Sequence, residues 1–102
     1  MKKIRVKICG VTNLEDACDA VKFGTDALGF IFFPGSPRFI KFSDAREIVS
    51  SIPPFIAKIG LFVNPSKETV EDCIKNVGID TLQFHGDESS DFCGIFGLPW
   101  IK

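Results

Sequence analysis

The sequence predicts an α/β fold of parallel β/α units, curved into a barrel in preference to an open doubly wound sheet. Three observations carry this expectation. Strand-like and helix-like segments alternate along all 102 residues with short turns between them. The first and fourth strand-like segments place polar side chains on one parity and apolar ones on the other, as a strand with helices outside and a polar interior would. The glycine patterns that cradle phosphates in doubly wound sheets, G-x-G-x-x-G and G-x-x-x-x-G-K-[ST], do not occur.

The elements follow in order. "IRVKIC" (4–9) reads as a strand with Ile4, Val6 and Ile8 on one face and Arg5, Lys7 and Cys9 on the other. "NLEDACDAVKFG" (13–24) reads as a helix with Asn13 as N-cap, Leu14, Ala17 and Val21 at helical spacing, and Gly24 as its stop. "DALGFIFF" (26–33) is almost wholly apolar, a strand covered on both faces. "PGSPRFIKF" (34–42) is a loop, because its prolines and glycine fit neither a helix interior nor a central strand.

"SDAREIVSSI" (43–52) is a second helix, capped by Ser43 and closed by Pro53 and Pro54. "FIAKIGLFV" (55–63) is a third strand, and "NPSKETVEDCIKNVG" (64–78) a turn leading into a helix stopped by Gly78. "DTLQFHG" (80–86) is a fourth strand with Thr81, Gln83 and His85 facing one way and Leu82 and Phe84 the other. "DESSDFCGIFG" (87–97) begins as a helix and is weakened by its glycines, and "PWIK" (99–102) reads as the start of a fifth strand.

One small domain with a single core is what this length allows. A net charge of -1, with 25% charged and 45% hydrophobic residues, provides no electrostatic footprint for nucleic acid or an anionic membrane. No apolar run approaches the roughly 18 residues of a membrane span. "MKKIRVKICG" lacks the long apolar segment of a signal peptide, so a cytoplasmic location is expected. Cys9, Cys18, Cys73 and Cys93 form no C-x-x-C pair, which argues against zinc-ribbon and thioredoxin chemistry and for reduced thiols. Cys18 and Cys73 sit in helical patterns and are expected to be buried. The helical acids, such as Glu15, Asp16, Glu68 and Glu71, read as solvated faces and favourable first turns.

"KICGVTNLEDA", "GTDALGFIF", "SPRFI", "AKIGLFVN" and "LQFHGDE", in this order, resemble the amino-terminal half of the phosphoribosylanthranilate isomerase family of tryptophan biosynthesis. The resemblance implies a TIM (β/α)8 barrel, present here as about its first four units and the start of strand five. It implies an aldose–ketose (Amadori) isomerisation of a small phosphoribosyl substrate without cofactor or metal. The family's cysteine general base at the end of strand one maps onto Cys9. Its aspartate general acid and its phosphate-binding loops belong to the second half and match nothing in these residues. The chain by itself is therefore expected to be inactive, and either to self-associate or to pair with a carboxyl-terminal half. The alternative is a non-catalytic half-barrel that serves folding or assembly. The related histidine-pathway isomerase is a poorer match, because such relatives carry aspartate where Cys9 stands.

Without the resemblance, Cys9 would read as a core thiol. A thiolate base is helped by a nearby cation, and Lys7, on the same face one layer down, is the candidate. Arg38 falls in the second βα loop, where the resemblance gives it the anthranilate end of the substrate; a guanidinium suits a carboxylate and an aromatic ring. Asn64 offers either a substrate contact or a turn or cap. Gln83 and His85 face inward near the end of strand four, and His85 stands evenly between substrate contact and structural histidine. No second histidine or clustered ligand set supports a metal at His85.

Overall fold

A computed structural model describes residues 5–102. Five short strands alternate with four helices: β1 (Lys7–Cys9), α1 (Leu14–Lys22), β2 (Ala27–Ile31), α2 (Phe42–Ser51), β3 (Ala57–Phe62), α3 (Lys67–Val77), β4 (Thr81–Phe84), α4 (Ser90–Cys93) and β5 (Trp100–Ile101). A single 3-10 turn, Gly94–Phe96, follows α4. All strand pairings are parallel and the spatial order equals the chain order, β1-β2-β3-β4-β5. Such an arrangement is what successive β/α crossovers of one hand produce when no strand is skipped.

Local chemistry explains most element boundaries. The Asn13 side chain accepts the Asp16 amide at 2.8 Å and starts α1. Ser66 and Ser89 do the same for α3 and α4, accepting from Thr69 and Phe92. Gly78 ends α3 in the left-handed region. The second helix departs from expectation. It begins at Phe42 after Lys41, with no side-chain cap bond, and Ser43 lies inside it. Winding Phe42 into the first turn sets its ring edge-on against Phe32, with centroids 5.0 Å apart. That contact takes precedence over a serine cap. Ile4, expected in the first strand, lies outside the described residues, and β1 itself is only three residues long.

The core lies between the outer face of the sheet and the helices. Leu28, Phe30, Phe62, Leu82 and Phe84 pack there against Ala17, Ala45, Ile48, Val70, Cys73 and Val77. Phe62, Phe84, Phe92 and Phe96 form a chain of ring contacts along this layer, with centroid separations from 5.3 to 6.3 Å. The first strand differs: Val6, just before β1, and Ile8 within it are 44% and 42% exposed.

The opposite face is concave. Lys7 on β1 donates through Nζ to Gln83 Oε1 on β4 at 2.5 Å, although two strands stand between them. On a flat sheet these side chains would stand parallel and about 14 Å apart at the usual strand spacing. They meet because the sheet curls. This face also carries Gly29, Ile31, Ile59 and Leu61, in register with Cys9, Gln83 and Thr81 along the ladder.

Candidate functional site

The carboxyl ends of β1 to β4 and the loops that follow them carry the expected site residues. Cys9 ends β1 and pairs with Gly29 of β2. A Cβ on Gly29 would stand 3.1 Å from the Cys9 sulfur, so the missing side chain leaves the room the thiol occupies. The strand then turns at Gly10, whose φ of +83° an L side chain rarely adopts. The Gly10 and Val11 amides both donate to the Gly29 carbonyl, at 3.0 and 3.1 Å, which holds the first turn against β2.

Arg38 comes to this corner from the loop between β2 and α2. Its Nη1 donates to the Cys9 carbonyl at 3.3 Å, and its side chain lies flat against Gly10. A Cβ on Gly10 would come within 2.9 Å of Arg38 Cδ, Nε and Cζ. Gly10 thus serves twice, through its positive φ and through the seat it leaves for the guanidinium. The loop is held by Ser36, whose Oγ accepts the Arg38 amide at 3.1 Å, and by a single parallel bridge from Ile31 to Phe39.

A second cluster joins the loops after β3 and β4. Asn64 adopts a left-handed φ of +46° and its Oδ1 accepts the Asp87 amide at 2.8 Å. Its side chain therefore bridges two loops instead of capping α3, whose cap is Ser66. Glu88 sits between the same loops with its side chain only 3% exposed. Its carboxylate accepts the Asn64 amide at 2.7 Å, the Gly86 amide at 2.9 Å and the Lys102 ammonium at 2.8 Å. Burial raises its pKa, but the bonds from Lys102, Asn64 and Gly86 outweigh that and hold it below its usual 4.5. His85 is exposed beside this cluster, with its amide donating to the Phe62 carbonyl at 2.9 Å.

Lys7 and Gln83 cross the interior between the two clusters. Lys7 shares a parity with Cys9, and Gln83 with His85, in each case two residues earlier in the chain. The structure therefore joins Arg38 with Cys9, Lys7 with Gln83, and Asn64 with the loop after His85. The sharp turn at Gly10 after Cys9 was readable in "KICG", whereas Glu88 and Gly29 went unread in the sequence. The "HGDE" stretch was the available signal for Glu88, since an acid two residues after a strand-end glycine can accept loop amides.

The other thiols divide by burial. Cys73 and Cys93 are fully buried and burial pushes both upward, with a partial downward pull from Lys102 on Cys93. Cys18, expected to be buried, is half-buried instead, because on α1 it is Ala17 that turns fully inward. Among the described residues no three His, Cys, Asp or Glu side chains gather to hold a metal ion, and no helix is long and apolar enough to cross a membrane.

Comparison with known proteins yields concordant matches. Residues 6–102 match the family model described as N-(5'phosphoribosyl)anthranilate (PRA) isomerase. The chain is 55% identical over 100 residues to N-(5'-phosphoribosyl)anthranilate isomerase of Nitrosomonas europaea, covering 98% of this chain and 47% of the relative. The corresponding protein of Pseudomonas savastanoi is 46% identical over 102 residues, 100% of this chain and 50% of the relative. The crystal structure of phosphoribosyl anthranilate isomerase from Thermotoga maritima superposes with a TM-score of 0.86 at 47% identity, over 88% of this chain and 44% of that one. A crystal structure of the isomerase in complex with reduced 1-(o-carboxyphenylamino)-1-deoxyribulose 5-phosphate matches with the same TM-score and identity, over 88% and 46% of the two chains. The chain spans about half the length of the curated relatives it matches. With its parallel sheet, its strand-end cysteine and its match to the family model over residues 6–102, the chain belongs to the N-(5'-phosphoribosyl)anthranilate isomerase family.

Proposed function

We propose that this chain provides the base side of a phosphoribosylanthranilate isomerase active site and corresponds to the first four units and fifth strand of a (β/α)8 barrel. The reaction is the Amadori rearrangement of N-(5-phosphoribosyl)anthranilate to 1-(2-carboxyphenylamino)-1-deoxyribulose 5-phosphate, a step of tryptophan biosynthesis placed in the cytoplasm. The observation that carries this reading is the Arg38 guanidinium seated on Gly10 and bonded to Cys9 at the strand ends.

The chemistry needs two proton movements and no net redox change. A general acid protonates the ribose ring oxygen as the ring opens, and a base removes the proton from C2 as the enamine forms. In this assignment the Cys9 sulfur takes the C2 proton. Arg38 pairs with the anthranilate carboxylate and flanks its ring, a task suited to a planar donor fork. Asn64 and His85 line the opposite rim and contact the ribose side. Gln83, with Oε1 given to Lys7, keeps its amide nitrogen for the substrate, and Lys7 supports the charge at Cys9. The acid and the phosphate anchor come from a carboxyl-terminal half, with which this chain pairs. The exposed Val6, just before β1, and Ile8 within it support such pairing, since a covering element would bury them.

The test is an assay of the purified chain, alone and mixed with the carboxyl-terminal half of the Nitrosomonas europaea relative, following loss of the substrate's anthranilate fluorescence. Turnover should appear only in the mixture, and Cys9→Ser should lower it by orders of magnitude while leaving affinity for the reduced product analogue in place. Undiminished turnover by the Cys9→Ser mixture sinks the assignment of the base.

A further inference from the structure

The concave face of the sheet holds a cation that no carboxylate neutralises. Lys7 donates to the side-chain carbonyl of Gln83, a neutral acceptor, and among the described residues it makes no ion pair. The carboxylates nearest the sheet are engaged elsewhere. Glu88 serves Lys102 and two loop amides, Asp80 accepts from the Lys58 amide and Thr81, and Asp26 accepts the Val6 amide. The charged groups at the Cys9 corner, Lys7 and Arg38, are both positive, and Arg5 shares the chain parity of Lys7. Residues two apart on a strand point the same way at a spacing of roughly 7 Å. A bonded Lys7 ammonium is therefore held on the same face as Cys9, one layer down.

We propose that Gln83 is a positioning residue that aims the Lys7 ammonium beneath Cys9 without cancelling its charge, so that the concave face presents a positive potential to an anionic reactant at the thiol. A glutamate in this place would hold the lysine equally well and extinguish the field. The choice of an amide is the informative feature. This deepens the proposed function, which makes Cys9 the reacting group and a small molecule bearing a phosphate and a carboxylate its substrate.

Paired alkylating reagents read this potential without turnover. The chain is treated at low ionic strength with iodoacetate, which is anionic, and separately with iodoacetamide, which is neutral, and labelling is resolved by cysteine with mass spectrometry. Both reagents are attacked by the same thiolate, so the ratio of their rates cancels the thiolate fraction and reports the local potential. Cys18, half-buried on α1, is the internal control. Lys7→Met and Gln83→Glu should each lower the Cys9 ratio roughly threefold to tenfold, the order of effect of one unit charge on the same face of a partly aqueous site. The Cys18 ratio should not move, and raising the salt to near 1 M should erase the difference at Cys9.

Gln83→Glu and Gln83→Met carry the decision together. Gln83→Glu preserves the shape of the crossbar and adds only a charge, while Gln83→Met frees the ammonium without adding one. A merely structural bridge therefore predicts no change in the ratio for Gln83→Met, and an aimed cation predicts a fall. An unchanged Cys9 ratio in either variant, with the circular dichroism spectrum of the parent, overturns the proposal. Failure of the isomerase assay alone would leave this measurement standing, and the two readings are judged separately.

Discussion

Replacing Glu88 with glutamine should destabilise the chain far more than its near-identical shape suggests. The carboxylate receives three donors, the Asn64 and Gly86 amides and the Lys102 ammonium, and is shut off from water at 3% exposure. A glutamine offers one oxygen. Wherever it points, its NH2 group faces at least one of the remaining donors, which then has no acceptor. Charge-assisted bonds are worth roughly 1.5–3 kcal/mol each, but Lys102 is 43% exposed and its pair is discounted to under about 1 kcal/mol. One backbone amide is left without an acceptor and the other bond loses its charge assistance, so the expected loss is about 2–4 kcal/mol at neutral pH, a fall in Tm of roughly 10–25 °C. The sign with pH follows from the depressed carboxyl. Its contribution is present in full above the usual 4.5 and disappears as pH falls through the lower folded-state value. Parent and variant should therefore converge in acid. Thermal and urea unfolding by circular dichroism, from pH 7 to pH 3, measures both. A variant within 0.5 kcal/mol of the parent at pH 7 refutes the clamp, and a gap undiminished at pH 3 refutes its ionic character.

Two further substitutions probe the Arg38 corner and the core. Gly10→Ala places a side chain where φ is +83° and where Arg38 already lies, so it should cost about 1–2 kcal/mol of stability and displace the guanidinium. Titration calorimetry of the complemented enzyme with the reduced product analogue should show Gly10→Ala and Arg38→Ala losing affinity together, and full affinity in Gly10→Ala would dismiss the seat. Phe84→Ala empties a fully buried position in contact with Phe62, Phe92 and Phe96, at an expected cost of about 3–5 kcal/mol in urea unfolding. A loss under about 1.5 kcal/mol would mean that the aromatic layer collapses into the gap.

Side-chain parity was legible because a strand can express only two faces. Lys7, Cys9, Thr81 and Gln83 fall on the concave side, and Leu82 and Phe84 on the helical side, as alternation requires. The N-cap at Asn13 was legible for a similar reason, since its bond reaches only three residues along the chain, whereas the cap of α3 at Ser66 was not read. What escaped were terms that depend on distant partners. Phe42 entered α2 because of Phe32, ten residues away, and no local rule weighs a ring contact against Ser43. Glu88 looks like one more loop acid until the turn at Asn64, 24 residues earlier, is brought beside it. Lys7 and Gln83 are 76 residues apart, and only the curl of the sheet lets them meet.

These long-range contacts have an order that bears on how the site is held. The first and second βα loops are fastened to each other at Gly10 and Arg38, and the third and fourth at Asn64, Gly86 and Glu88. Each pair is tied within itself by hydrogen bonds between adjacent loops. Between the pairs, the ladder of β2 and β3 supplies the backbone connection, and Lys7 to Gln83 supplies the side-chain one. A crossbar that spans two intervening strands resists flattening of the sheet with more leverage than a bond between neighbours. Its two ends lie one layer beneath Cys9 and His85, so any flattening would separate those two side chains first. The contact that the curl permits therefore helps to set the width of the opening between Cys9 and His85, across which the proposed base and the proposed polar contact would reach one substrate.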